Sequence, residues 1–254
     1  MKKAPSWTVI TVVLAFLFSI PARPAIAAGF DDALKQYWEG RTSEALDTIK
    51  AYQKTHPDDS DARLWKTIIR MERAIELESS DKDASGRIAL SEWGTFWDVN
   101  KFEEDTGAVS GSPWLYKIAE AKVYWLNNRR YRSYKAMKEV AESTAPIPEA
   151  LHFKGFMEYE GYLVPTFSTD PSDKVASAEA AVKSFAVELA LVGKTSPGES
   201  LRSAYWLAKG TCRVDPMTSR EKLSKIFAGI DIGLPGSVYS PLVKDMIEKG
   251  CPKK

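Results

Sequence analysis

The sequence predicts an all-α protein made of stacked helical hairpins. Apolar residues recur at intervals of three and four positions in one segment after another, which is the spacing of one helix face. Glycine, proline and paired polar residues separate these segments, as they do at helix ends. No segment alternates apolar and polar residues long enough to predict a sheet. With 44% hydrophobic and 27% charged residues the chain has the composition of a folded protein, and we expect one helical domain over residues 28–254.

The first 27 residues have the pattern of a secretory signal peptide. Lys2 and Lys3 precede an apolar run over residues 9–20, and small residues frame a cleavage site after Ala27. The alternative is an uncleaved anchor, but the run is shorter than the about 20 residues that a membrane span needs. We expect cleavage after Ala27, no membrane span in the mature chain, and a periplasmic or secreted location.

The charge balance argues against a nucleic-acid partner. Cleavage removes three of the 35 basic side chains and none of the 34 acidic ones, so the mature chain is close to neutral. Proteins that bind nucleic acid through the phosphate backbone usually carry a clear excess of positive charge.

Two cysteines, Cys212 and Cys251, predict one disulfide bond. An exported protein meets an oxidising compartment, where an even number of cysteines usually pairs. Closing a loop of about 40 residues would stabilise the fold by roughly 4 kcal/mol. Two separate free thiols are the alternative.

The first hairpin is predicted over residues 29–62. Its first helix begins near Phe30, and Thr42 or Ser43 caps the second. Small residues stand where the two helices would touch, a glycine stands at the turn, and a proline follows the second helix. These residues are Ala33, Gly40, Ala45 and Pro57. The segment resembles a tetratricopeptide repeat, a helix-turn-helix of about 34 residues.

Further hairpins are predicted over residues 114–254. Stacked hairpins of this kind form concave surfaces that hold a peptide or a partner helix, and the resemblance implies such a surface here. The expected helices begin near Trp114, Tyr131, Glu149, Asp173, Pro197, Thr218 and Ser240, and the one from Pro197 ends near Gly210.

The twelve residues from Asp81 to Glu92 resemble the calcium-binding loop of an EF-hand. Calcium prefers six to eight oxygen ligands at about 2.3–2.6 Å, and carboxylates alternating around a tight turn supply them. Gly86 permits the sharp turn. The implied ligands are the side chains of Asp81, Asp83, Ser85 and Glu92 and the backbone carbonyl of Arg87.

The flanking segments complete an EF-hand-like helix-loop-helix over residues 64–103. An apolar face over residues 64–77 predicts the entering helix, and Trp93, Phe96 and Trp97 predict the exiting one. No second loop of this kind is available to pair with it. We therefore expect a structural Ca²⁺ ion that fixes two helices, not a sensor that switches. The alternative is a polar loop whose aspartate and serine side chains cap helices.

Catalytic signals are weak. The sequence has no nucleophile elbow, no phosphate-binding glycine loop and no zinc-type spacing of histidine and cysteine. Glu158 and Glu160 lie on different helix faces, so they make a poor acid and base pair. His152 lies on an apolar helix and is expected in the core or at its rim. No catalytic or cofactor-binding residue is assigned.

A basic segment over residues 127–138 carries five cations interleaved with Tyr131 and Tyr134. Such a surface could bind an anionic cell-wall polymer. The alternative is a solvated helix face whose tyrosines pack inward, which is the usual role of a charge run.

These patterns together predict an exported scaffold that binds a protein or peptide partner and holds a structural calcium ion. An enzyme acting on the cell envelope, or a wall-binding module, is the alternative. A scaffold predicts a broad groove and no carboxyl group with a shifted pKa. An enzyme predicts a deep pocket with a buried carboxyl group of raised pKa.

Overall fold

The computed structural model describes residues 29–78, 80–91, 112–160, 178–193 and 196–252. These ranges contain eleven helices and no strand, so the predicted all-α class is confirmed for them. The predicted signal peptide lies outside the described residues. In chain order the helices are α1 (Phe30–Trp38), α2 (Thr42–Thr55), α3 (Ser60–Leu77), α4 (82–91), α5 (Pro113–Leu126), α6 (Arg130–Ala141), α7 (Pro148–Tyr159), α8 (Ala178–Val192), α9 (Pro197–Val214), α10 (Arg220–Ile226) and α11 (Tyr239–Lys249).

Local sequence signals account for most helix ends. Proline occupies the first turn of α5, α7 and α9, where its missing N–H costs nothing. Asp59 begins α3 by accepting a hydrogen bond from the backbone N–H of Ala62 at 2.9 Å. Gly40 has φ +80° in the turn between α1 and α2, a conformation that other residues rarely adopt.

The helices pack in a closed order. Helices α1, α2, α3, α5, α6, α7, α8 and α9 each contact the next one in that series, and α9 returns to contact α1. The backbone N–H of Val238, just before α11, also donates to the carbonyl of Glu39 at 2.9 Å, behind the end of α1. Residues far apart in sequence therefore meet in the interior of the array.

Two apolar clusters form the core. The larger one is built from α1, α2, α3, α5, α6 and α7, and includes Ile68, Ile118 and Phe153. The smaller one is built from α9, α10 and α11 around Leu201 and Val243. The disulfide between Cys212 and Cys251 lies at the second cluster, which confirms the predicted pairing.

Helix α9 does not end near Gly210, and this prediction is wrong. The helix continues to Val214, and Gly210 is a contact point with α8 inside it. A Cβ atom at Gly210 would lie 3.2 Å from Val182 Cγ2, so only glycine allows this approach without displacement. A glycine inside a helix thus marks a packing site here and not a helix end.

Among the described residues no helix is both long enough and apolar enough to cross a membrane.

Candidate functional site

The predicted calcium segment is partly described, and the described part is helical. Residues 82–91 form α4, and Gly86 lies inside it without a positive φ. Asp81 caps this helix, because its Oδ1 accepts a hydrogen bond from the backbone N–H of Ala84 at 2.9 Å. The prediction of a sharp turn at Gly86 is therefore wrong for this structure, which has a helix there. Aspartate suits both a helix cap and a calcium loop, so the residue types alone did not separate the two.

The predicted calcium ligands do not all fall within the described residues. Asp81, Asp83 and Arg87 are exposed, and Ser85 is buried. Glu92, which would close the loop, lies outside the described residues, as do the apolar residues expected on the exiting helix. Within the described ranges no group of three histidine, cysteine, aspartate or glutamate side chains could hold a metal ion. The calcium site stays a prediction.

The interior of the array contains a buried network of charged side chains. Glu149 of α7 lies at its middle and receives contacts from three other helices. The hydroxyl of Tyr37 donates to Glu149 Oε1 at 2.5 Å, Lys122 Nζ lies 3.0 Å from the same oxygen, and a guanidinium N–H of Arg202 donates to Oε2 at 2.9 Å. Lys122 also donates to Glu72 of α3 at 2.5 Å.

The network continues from Arg202 to Glu188 of α8. Arg202 donates to Glu188 Oε1 at 3.4 Å, the hydroxyl of Ser203 donates to the same oxygen at 2.7 Å, and His152 Nδ1 lies 3.1 Å from Oε2. We call this set the central ion network. Its members are Tyr37, Glu72, Lys122, Glu149, His152, Glu188, Arg202 and Ser203.

The charges in the network stabilise one another. Burial alone would raise the pKa of Glu149, but the positive charges of Arg202 and Lys122 outweigh it and hold that pKa well below its ordinary value. Burial would lower the pKa of Lys122, yet Glu72 and Glu149 raise it overall. Burial and the charge of Glu149 raise the pKa of Tyr37, which therefore stays protonated and donates. Glu149 is ionised at neutral pH and saturated with donors.

A second buried carboxylate, Glu158, is saturated in the same way. Its Oε1 accepts from the hydroxyl of Tyr134 at 3.1 Å and from Lys154 at 2.7 Å, and its Oε2 accepts from Ser184 at 2.7 Å. Glu158 is therefore a packing element between α6, α7 and α8.

The interior therefore matches neither of the two predicted forms, which were the broad groove of a scaffold and the deep pocket of an enzyme. The middle of the array is filled by the central ion network, so the described residues form no broad groove there. The buried carboxyl group with a large pKa shift, Glu149, is shifted downward, which is the opposite of a poised general acid. His152 is 3% exposed and belongs to the core, as expected.

A cavity of about 750 Å³ opens at the other end of α7 and α9. We call it the cationic cavity. Its lining residues are Tyr159, Lys209, Cys212, Arg213, Pro216, Cys251 and Pro252. The disulfide forms part of its wall and holds the end of the chain beside α9. Cavities of this size, with mostly apolar walls and a few polar groups, are typical of ligand sites.

Two cations in the cavity rest on aromatic rings. Lys209 Nζ lies 4.2 Å from the centre of the Trp206 ring, and the guanidinium of Arg213 lies 4.6 Å from the centre of the Tyr159 ring. Desolvation lowers the pKa of Lys209, while the more distant charge of Glu160 raises it and Arg213 lowers it further. Within the described residues neither Lys209 nor Arg213 has an ion-pair partner.

One partly buried acid, Glu76 of α3, has a raised pKa. Burial raises it, while hydrogen bonds from Thr42 at 2.7 Å and Arg73 at 3.1 Å lower it. Glu76 is not among the residues that line the cationic cavity.

The basic segment on α6 divides into an inner and an outer side. Tyr134 packs inward and bonds to Glu158, while Arg132 and Lys135 are exposed. Arg130 lies over the ring of Trp125, with 4.8 Å between the guanidinium carbon and the ring centre. This arrangement fits the solvated face that the sequence left open as an alternative.

The fold and the buried network define the class as an all-helical protein with an ion-paired interior and a cationic surface cavity. Comparison with family models, with curated proteins and with solved structures gives no match. Function has to be argued from these residues alone.

Neither the central ion network nor the cationic cavity is predicted by the sequence patterns described above. Glu149, Glu188 and Arg202 look like ordinary surface charges in a sequence, because single charged residues on helices usually face water. A weak signal existed in α9, where Glu199, Arg202 and Ser203 interrupt its apolar face. The spacing of Trp206, Lys209 and Arg213 at three and four positions also places them on one face of that helix.

Proposed function

We propose that the mature protein is an exported binding scaffold that holds a protein or peptide partner and carries out no reaction on it. The observation that carries this proposal is the saturation of Glu149, an ionised carboxylate with donors on both oxygens. A general acid or base needs a group that can exchange a proton with a substrate. The buried charges instead link α1, α3, α5, α7, α8 and α9 in one rigid array.

The binding surface is on the outside of this array. Since charged side chains fill the interior of the described array, we place the partner at its rim. The cationic cavity is a concave site on that rim, and its wall includes the Tyr159 ring, two prolines and the disulfide. Rigid sites of this type lose little conformational entropy when they bind.

The proposed scaffold is exported from the cytoplasm and holds one structural calcium ion. The disulfide at Cys212 and Cys251 is consistent with an oxidising compartment such as the periplasm or the exterior. A Ca²⁺ ion at residues 81–92 would act as a structural clamp between α3 and the segment after α4.

Cross-linking of the tagged mature protein in its native envelope, followed by mass spectrometry, tests the proposed function. We expect one protein to be recovered in stoichiometric amount and to be absent from a tagged, unrelated exported protein of similar size. Recovery of no partner, together with release of soluble fragments from purified envelope material, would instead establish an enzyme.

Wall binding is the second candidate, and the exposed Arg132 and Lys135 favour it. A pull-down on purified cell wall separates it from the scaffold. If the wall retains the protein and the double substitution R132Q and K135Q releases it, the wall is the partner.

A further inference from the structure

Among the described residues, the lining of the cationic cavity holds two positive charges and no acid. Lys209 and Arg213 lie one helical turn apart on α9, so they repel each other. Lys209 is also partly removed from water. Lys209 and Arg213 have no ion-pair partner among the described residues, and only the charge of Glu160 offsets the positive charge at Lys209. An anion that enters the cavity stabilises both cations, because it compensates their repulsion and replaces the lost solvation.

We propose that the cationic cavity binds a carboxylate of a peptide, together with the apolar side chain next to that carboxylate. This inference rests on the proposed scaffold function and names the chemistry that its partner presents. The carboxylate comes either from the end of the peptide chain or from an acidic side chain, and the test below separates these two sources.

The chemistry of the cavity selects a carboxylate attached to an apolar group. The planar guanidinium of Arg213 presents paired N–H donors that match the two oxygens of a carboxylate. Lys209 adds a second charge from the same helix face. The remaining wall consists of the Tyr159 ring, two prolines and the disulfide, which suit an apolar side chain and not a heavily hydrated one.

The cavity is also open in the way a peptide requires. Arg213, Pro216 and Pro252 are exposed at its edge, so a chain can leave the site into solvent. Its volume of about 750 Å³ accepts a few atoms of backbone with one side chain and is far too small for a folded partner. The partner is therefore anchored by one short segment.

Titration calorimetry on the mature, disulfide-bonded protein tests this proposal with three probes. N-acetyl-phenylalanine has a terminal carboxylate, its amide has none, and N-acetyl-glutamyl-phenylalanine amide has only an acidic side chain. We expect at least one of the two carboxylate probes to bind at least about tenfold more tightly than the uncharged amide, and to weaken as salt is added. The tighter of the two identifies the source.

Two substitutions locate the binding in the cavity. R213M removes an exposed cation, and K209M keeps the length of the side chain over Trp206; each should weaken the carboxylate probe at least about tenfold. K222M, on the exposed side of α10, is the matched control and should bind as the unaltered protein does. Thermal midpoints of all three variants identify any loss of fold, and the exposed position of Arg213 keeps R213M informative if K209M is unstable.

Equal binding of the amide, or unchanged binding by R213M and K209M, would overturn the inference. Tighter binding of inorganic phosphate than of either carboxylate would overturn the choice of anion. If cross-linking recovers a partner that R213M still binds equally, the cavity assignment fails and the scaffold stands. If the carboxylate probes bind but no partner is recovered, the scaffold fails and the cavity chemistry stands.

Discussion

Glu149 connects more helices than any other carboxylate in the central ion network. It is 2% exposed and takes donors from Tyr37, Lys122 and Arg202, which come from α1, α5 and α9. Bringing these charges out of water is unfavourable, and their mutual attraction offsets that cost only when every partner is present. The loss of a single partner should therefore be severe.

Replacing Glu149 with glutamine tests this balance. E149Q keeps the size of the side chain but leaves Arg202 and Lys122 without their shared countercharge. We expect the free energy of unfolding to fall by about 3–5 kcal/mol, measured by urea denaturation. The control E221Q removes an exposed partner of Lys225 and should change stability by no more than about 0.5 kcal/mol. Equal, small effects of both substitutions would contradict the role assigned to Glu149.

The same residue predicts how stability depends on pH. The folded pKa of Glu149 is depressed, so its contribution is fully present above the unfolded carboxyl pKa of about 4.3 and is lost as pH falls through the lower folded value. We expect the urea concentration at the unfolding midpoint to decrease as the pH is lowered below about 4.3. This decrease should be less steep in E149Q than in the unaltered protein. Parallel curves for the two proteins would show that Glu149 does not carry this dependence.

At the scale of single elements, much of the helical pattern could be predicted from sequence. Caps and turns are local, so the turn at Gly40 and the helix start at Pro197 could be predicted correctly. Thr42 and Ser43, the expected caps of α2, instead lie inside that helix. Gly210 failed as an end signal because its role depends on Val182 of α8, a residue that local pattern cannot place beside it. The central ion network was missed for the same reason, since Tyr37 and Glu149 are 112 positions apart.

Substitution of alanine for each of two helical glycines should change the free energy of unfolding in opposite directions. A Cβ at Gly155 of α7 would lie 2.7 Å from the Phe185 ring of α8, so G155A should destabilise the fold by about 1–3 kcal/mol. A Cβ at Gly86 of α4 would meet nothing within 4 Å, so G86A should stabilise the metal-free protein by about 0.5–1 kcal/mol. Urea denaturation of both variants in the presence of EDTA measures this, and a destabilised G86A would contradict the helical assignment of residues 82–91.

Calcium binding gives residues 81–92 a separate test. An EF-hand loop requires a sharp turn at its glycine and a bidentate carboxylate at its last position. If this loop forms around the ion, titration calorimetry detects heat at millimolar calcium, and both E92Q and G86A weaken it. Absence of heat at millimolar calcium, with E92Q behaving identically, would remove calcium from the account and leave Asp81 as a helix cap.

At the scale of the whole molecule, the disulfide and the central ion network connect parts of the chain that are distant in sequence. The disulfide joins the end of α9 to the segment after α11, 39 positions later. The central ion network joins α9 to α7, which carries Glu149, and through Glu149 to α1 and α5. The disulfide could be predicted from cysteine count and export, whereas the network depends on a closed order of helices that no local pattern contains.

This closure also explains why binding is assigned to the rim of the array. A stack of hairpins that stays open has a free concave surface, but here α9 contacts α1 and charged side chains fill the middle. The cationic cavity lies where α7 and α9 end, beside the disulfide, so its walls are fixed by the same elements that close the array.

A double-mutant cycle between Glu149 and Arg202 tests most directly the central claim that coupled ion pairs across the interior hold the helical array together. The free energies of unfolding of E149Q, R202M and the double variant are compared with that of the unaltered protein. We expect a coupling free energy of about 1–3 kcal/mol, with the double variant more stable than the sum of the single effects predicts. Effects that add within about 0.5 kcal/mol would mean that the two side chains act independently, which would contradict a coupled ion network in the interior.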